Sequence, residues 1–105
     1  MKSNMKKYRV IISKKADAMF DEHIKFLGRI NSSAAKRLIE ELTADIYSLE
    51  TMPERCPFVD AESAKPKYYR KLSAAKYYIV LFHIKNDAVY IDYIFNTREN
   101  YLKML

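Results

Sequence analysis

The side chains best suited to proton transfer or nucleophilic attack are few: two histidines, His23 and His83, and one cysteine, Cys56. An imidazole has an ordinary pKa of about 6.5 and can shuttle protons near neutrality. A thiol needs a neighbouring base to become a nucleophile. Cys56 stands between Arg55 and Pro57, with no His or Asp beside it to serve as that base. Both histidines fall at apolar positions, which reads as core placement rather than catalysis. One cysteine and two histidines cannot by themselves supply a four-ligand zinc site, and a single cysteine excludes an intramolecular disulfide. No metal and no cofactor is expected. What the chain has in abundance is cations and flat rings: 19 Lys and Arg against 13 Asp and Glu, with nine Tyr and five Phe. Rings that stack on unpaired bases and cations that meet phosphate are the chemistry of nucleotide recognition.

The cations are unevenly distributed. Residues 1–15 carry six positive charges and no negative one, residues 16–64 five positive and ten negative, and residues 65–105 eight positive and three negative. Two basic ends enclose an acidic middle, an asymmetry that points to an anionic partner. With 105 residues, 50% of them hydrophobic and 30% charged, the composition is that of one globular domain over 1–105. A deep cofactor cleft between two domains is excluded. The N-terminal stretch has no apolar signal region, and the longest uncharged apolar run, residues 77–84, is far short of the roughly 20 residues that span a bilayer. A cytoplasmic protein that does not enter membranes is expected.

Hydrophobic spacing locates the elements that must position these groups. Residues 8–13, YRVIIS, are rich in β-branched side chains and predict a strand. Ser13 is placed to cap a helix whose apolar stripe is Ala16, Met19, Phe20, His23, Ile24, Leu27 and Ile30. Asn31-Ser32-Ser33 breaks and recaps the chain. A second helix follows, burying Ala35, Leu38, Ile39, Leu42, Ile46 and Leu49 and stopped by Pro53. Residues 52–67 hold all three prolines and read as a loop. Strands are predicted over 68–73, 76–85 and 88–97, with Asn86-Asp87 as a turn, and the tail from Arg98 makes a helical turn. The order β-α-α-β-β-β is α+β: an N-terminal strand, an α-helical hairpin, then a three-stranded antiparallel sheet.

In that arrangement the acidic stretch is mainly the helical layer, and one face of a basic sheet stays open. Period-2 alternation assigns Val89, Ile91, Tyr93 and Phe95 to the helix side, together with Ile79 and Leu81. Lys76, Tyr78, Val80 and Phe82, and Tyr90, Asp92, Ile94, Asn96 and Arg98, are then expected on the open face. An aromatic, basic sheet face of this kind suits unpaired nucleotides.

The element order, the segments NSSAAKRLIEELTADIYSLETMP and KYYIVLFHIKNDAVYIDYIFNTREN, and the arginine closing the last strand resemble the RelE/ParE superfamily of toxins from bacterial type II toxin–antitoxin modules. The likeness runs from Tyr8 to Arg98. It implies a small toxin silenced by a co-encoded acidic antitoxin, which would lie in the groove between hairpin and sheet or add a strand to an edge. RelE-type members cut mRNA in the ribosomal A site without a metal, whereas ParE-type members poison DNA gyrase and are not nucleases. Metal-free cutting needs a base, cations for the phosphorane and an acid for the leaving oxygen. On the RelE pattern, Lys71 matches a second-strand basic position and Arg98 the arginine of the last strand. Tyr69, beside Arg70, takes the other second-strand position, Tyr78 stands where a middle-strand arginine is usual, and Met104 stands at the tail tyrosine, three residues after Tyr101. The resemblance therefore implies Lys71, Arg98 and Tyr101 as the catalytic group, with Arg70, Lys76 and Tyr78 contacting RNA. ParE-type members often carry His-x-Arg where this chain has Asn96-Thr97-Arg98. The leading expectation is a ribosome-dependent mRNA endonuclease whose partners are the ribosome and mRNA. The alternatives are a gyrase inhibitor without chemistry of its own and an inactive member that only binds its antitoxin.

Overall fold

The computed structural model describes residues 6–59 and 67–98. Its elements are β1 (Arg9–Ile12), α1 (Lys14–Ile30), α2 (Ser32–Tyr47), two 3-10 turns (Ser48–Glu50 and Pro53–Arg55), β2 (Arg70–Ala74), β3 (Tyr78–Lys85) and β4 (Ala88–Asn96). The expected α+β order is thus present. The helical turn expected after Arg98 lies outside the described residues.

The helical hairpin owes its sharpness to two caps. Ser13 Oγ accepts from the backbone N–H of Ala16 at 3.0 Å, opening α1. Asn31 serves both helices. Its own N–H donates to Leu27 O at 2.8 Å, closing α1. Its side chain accepts from Ala34 N at 3.0 Å, opening α2. A single extended residue that satisfies both helix ends leaves no loop between them, so the helices pack antiparallel.

The strands form one sheet in the order β1-β4-β3-β2. β1 runs parallel to the first half of β4, Arg9–Ile12 beside Ala88–Ile91, so the sheet is four-stranded and mixed. The β3–β4 turn passes through Asn86 at φ 58°, a left-handed conformation that asparagine tolerates well. The outer edge of β2 is covered by the preceding loop, because Lys71 N donates to Pro57 O at 3.0 Å and Val59 N to Tyr69 O at 2.8 Å. That loop closes an edge otherwise open to pairing with another chain.

The pairing of β3 with β4 contains an irregularity that decides which side chains face where. Leu81 pairs with Tyr93 but Phe82 pairs with Ile91, leaving Asp92 as an extra residue in β4. Such a bulge reverses the in–out alternation beyond it. Val89 and Ile91 face the helices before the bulge, as expected, and Ile94 does so after it. Tyr93 and Phe95 turn to the far side, where they pack with Ile79 and Leu81. In β3 the helix side is taken by Tyr78, Val80 and Phe82. The open-face positions expected for Tyr78, Val80, Phe82 and Ile94, and the helix-side positions expected for Ile79, Leu81, Tyr93 and Phe95, are therefore corrected. Phe82 goes to the side where Leu38, Leu42, Ile46 and Leu49 wait, and it is fully buried. Fully burying a side chain of this size contributes about 1.5–3 kcal/mol.

Two helix positions also differ from the periodic reading. Ile30 and Ile39, counted within the apolar stripes, are 68% and 41% exposed. Among the described residues no helix is long and apolar enough to cross a membrane.

Candidate functional site

A groove of about 1040 Å³ lies between the helical hairpin and the end of the sheet where β2 turns into β3 and β4 finishes. α1 contributes Glu22, His23, Phe26 and Leu27, and α2 contributes Arg37, Leu38 and Glu41. Across from them stand Lys76, Tyr77 and Tyr78, with Asn96 and Arg98 from β4 and its extension.

The sheet wall is held by three bonds. Ala75 N donates to the Asp45 carboxylate at 2.8 Å, tying the β2–β3 turn to α2. Within the turn Tyr77 N donates to Ala75 O at 2.7 Å, and Thr97 N donates to Tyr77 O at 2.8 Å, tying the turn to β4. Ala75 and Lys76 both adopt left-handed backbone, φ 44° and 69°. That conformation costs a side-chain-bearing residue about 1–2 kcal/mol. The anchors therefore hold a strained turn, and the turn presents Lys76 and Tyr77.

The groove floor is apolar and aromatic. Tyr78 is only 7% exposed and meets the His23 ring edge to face at 5.6 Å. Phe26 and Tyr77 are 62% and 48% exposed, an uncommon amount for rings of this size. Charge is divided between the walls. Lys76 Nζ and the Arg98 guanidinium lie 5.5 and 5.7 Å from the Tyr77 ring centre, putting two cations on one aromatic side chain. The helix wall answers with Glu22, Glu41 and Arg37. An apolar floor with such a rim binds a complementary amphipathic surface.

The structure thus brings three of the six expected site residues, Lys76, Tyr78 and Arg98, into one groove. Lys76, Tyr78, Asn96 and Arg98 are all expected on the open sheet face, and the structure corrects this: they line the groove on the helix side, Tyr78 as its floor. Lys71 is elsewhere: it pairs with Leu81, whose side chain belongs to the far-side cluster, so alternation sends Lys71 to the face away from the helices. Arg70 is a brace. Its guanidinium donates to Glu54 O at 3.1 Å and Cys56 O at 2.7 Å, and it lies 4.0 Å over the Phe58 ring. Tyr101 lies outside the described residues. Cys56 is buried, and burial raises its thiol pKa more than Arg55 and Arg70 lower it, which keeps it a thiol.

The far face holds a group that periodicity misassigned. His83, read as a core histidine, points away from the helices and is stacked between two tyrosines. Tyr68 lies 4.7 Å from it at 25°, and Tyr90 lies 5.1 Å from it at 14°. Asp92, the bulge residue, accepts from the Tyr69 hydroxyl at 2.8 Å, and the same oxygen lies 3.1 Å from His83 Nδ1. Burial, reinforced by this bond to a carboxylate, holds the Tyr69 hydroxyl far above the ordinary tyrosine range, so it remains a donor. Among the described residues no group of three or more His, Cys, Asp or Glu side chains is placed to hold a metal ion.

The family model described as the ParE toxin of the type II toxin–antitoxin system, parDE, matches residues 10–101. No curated protein matches the sequence. Among solved structures, the chromosomal ParDE toxin–antitoxin system from P. aeruginosa contains a chain that superposes with a TM-score of 0.71 at 14% identity. The match covers 85% of this chain and 95% of that one. At that identity the likeness is one of fold.

Proposed function

This chain belongs to the ParE toxin family of type II toxin–antitoxin systems, and from that premise we propose that it arrests growth by binding DNA gyrase, and that a co-encoded acidic antitoxin silences it by covering the groove. The observation that carries the reading is the groove itself: the exposed rings of Phe26 and Tyr77 over an apolar floor, with two cations at one end. It is built to bind.

Metal-free RNA cutting asks more of the geometry. A base and an acid must each come within hydrogen-bond reach, about 2.6–3.2 Å, of atoms around one phosphate, with a cation alongside. Of the implied catalytic residues, Lys71 and Arg98 belong to opposite faces of the sheet, and Arg70 is spent on the carbonyls of Glu54 and Cys56. The described residues therefore favour inhibition by binding over cleavage. The net charge of +6 and the Lys76–Arg98 end of the groove favour an acidic occupant. An antitoxin helix with carboxylates on one edge fits the chemistry of that wall.

The test is a supercoiling assay with purified gyrase, run beside transcriptome-wide mapping of RNA 5′ ends minutes after induction without antitoxin. Loss of supercoiling with no new in-frame RNA ends is the expected result, with Arg98→Ala weakening the inhibition. Intact supercoiling with new ends inside translated frames, blocked when translation is blocked, would overturn the proposal in favour of ribosome-dependent cleavage.

A further inference from the structure

We propose that Lys76 is held in a strained turn so that its ammonium anchors an acidic side chain of the protein that occupies the groove. This contact, which rests on the groove reading above, is the one that selects the occupant. The β2–β3 connection is the loop Ala75 to Tyr77, between the paired residues Ala74 and Tyr78. Tyr77 N donates to Ala75 O at 2.7 Å across a single residue, and that residue, Lys76, sits at φ 69°. A bond closed over one residue of positive φ is the rare and strained form of the γ-turn. Ala75 before it is at φ 44°, so two successive residues with side chains take a backbone that favours glycine.

The two residues do not share a reason for being there. Ala75 packs against the main core, and its N–H is tied to the Asp45 carboxylate at 2.8 Å. Lys76 has no such packing. Its side chain is exposed, its ammonium lies 5.5 Å from the Tyr77 ring centre, and among the described residues it makes no ion pair. Glycine would adopt this backbone without the steric cost, so the stability of the turn does not explain a lysine. Strain persists where the surroundings over-determine it. Here three bonds do so: Ala75 N to Asp45, Tyr77 N to Ala75 O, and Thr97 N to Tyr77 O at 2.8 Å.

The surroundings of Lys76 define what it meets. The Arg98 guanidinium lies 5.7 Å from the same Tyr77 ring, which is 48% exposed, and Phe26 stands on the helix wall at 62% exposure. Two cations at one ring suit a carboxylate, and charge-assisted hydrogen bonds to it are the strong ones. The exposed rings and the apolar floor of Leu27 and Leu38 suit the apolar surface that would carry it. An acidic side chain on a partner protein supplies both. A phosphate backbone would meet the cations without bringing that apolar surface. Because the turn is already fixed, little backbone freedom is lost when the contact forms.

The expected signature is a protein that gains stability as it loses function. Lys76→Gly and Lys76→Asn place residues that tolerate positive φ in the turn, and both should raise the urea midpoint above that of wild type. Both should also need about tenfold more protein to inhibit purified gyrase, as expected when a charged hydrogen bond is removed from a contact. Growth arrest on induction without antitoxin should weaken in parallel. Lys76→Arg keeps the charge and the strain, and should match wild type in stability and in arrest. Lys36→Ala, on the exposed side of α2, controls for a charge lost outside the groove. A Lys76→Gly protein less stable than wild type, or more stable and equally active in the arrest assay, overturns the proposal. A wild-type protein that arrests growth without inhibiting gyrase overturns the gyrase reading alone. The arrest assay assumes no target, so it still decides whether Lys76 is held in place for binding.

Discussion

The bond from Ala75 N to the Asp45 carboxylate joins stability to function, and Asp45→Ala tests that link. The bond is 2.8 Å long and half-buried, and it is the one that ties the β2–β3 turn to α2. A hydrogen bond to a charged acceptor contributes about 1.5–3 kcal/mol, and removing the acceptor leaves the donor to find water. Asp45→Ala should therefore cost about 2 kcal/mol. With a shift of about 4–8 °C per kcal/mol for domains of this size, the melting temperature should fall by about 10 °C. Total stabilities run to about 5–15 kcal/mol, so the variant remains folded at 20 °C. Its turn does not remain in place. Ala75 and Lys76 hold left-handed backbone at φ 44° and 69°, and the lost anchor lets them relax to a less costly conformation, moving Lys76 and Tyr77 off the groove wall. Asp45→Asn keeps an oxygen acceptor without the charge and should lose about half as much, since charge-assisted bonds are roughly twice as strong as neutral ones. Urea unfolding followed by circular dichroism gives the stabilities, and the supercoiling assay at 20 °C gives the functional loss. An Asp45→Ala protein with an unchanged urea midpoint, or an Asn variant as damaged as the Ala variant, refutes the reasoning.

Three further outcomes follow from particular contacts. The Tyr8 hydroxyl donates to the Glu54 carboxylate, which lowers the Glu54 pKa below its ordinary value and raises that of Tyr8 above its own. A lowered carboxyl pKa stabilises the fold above the unfolded-state value of about 4.3, and that stabilisation disappears as pH falls through the folded pKa. The raised tyrosine contributes below about pH 10 and is lost above it. The stability gap between wild type and Tyr8→Phe should thus be constant from pH 6 to 9 and close towards both extremes. A gap independent of pH from 3 to 11 would contradict this. Arg70→Ala removes two bonds to the Glu54 and Cys56 carbonyls and the stack on Phe58. It should cost about 2–3 kcal/mol and open the chain around residues 53–59 to limited proteolysis. Met52 holds φ 49° at 56% exposure, so Met52→Gly should stabilise by about 1 kcal/mol, read as an upward shift of the urea midpoint.

The helices were legible in the sequence because their signals are local. Ser13 and Asn31 cap through side chains reaching three residues ahead, and the stripe from Ala16 to Leu27 recurs at spacings of three and four. Asn86 marked its turn for the same reason, since its preference for positive φ belongs to the residue itself. The sheet faces were only half legible, because facing is a relation between two strands. Nothing in the string AVYIDYIFN announces that Asp92 is an extra residue; both halves alternate plausibly. Hydrophobicity did carry one correct hint that alternation overrode: Phe82 is a better core residue than His83, and the structure buries Phe82 completely. The groove was legible in its cations, Lys76 and Arg98, and illegible in its floor. Tyr78 and His23 meet through elements 55 residues apart in the chain.

That one bulge decides which face of the sheet Arg98 joins. Had β4 kept strict alternation from Val89 and Ile91, the helix-facing set would have continued through Tyr93, Phe95 and Thr97, and Arg98 would have been turned to the open face beside Lys71. With Asp92 inserted, Ile94 and Asn96 return to the helix side, and Arg98 follows them into the groove. The same insertion sends Asp92 and Tyr93 together to the far side, where Asp92 accepts from the Tyr69 hydroxyl and lies 3.1 Å from His83 Nδ1. The register shift thus places Arg98 beside Lys76 in the groove and leaves Lys71 on the other face of the sheet.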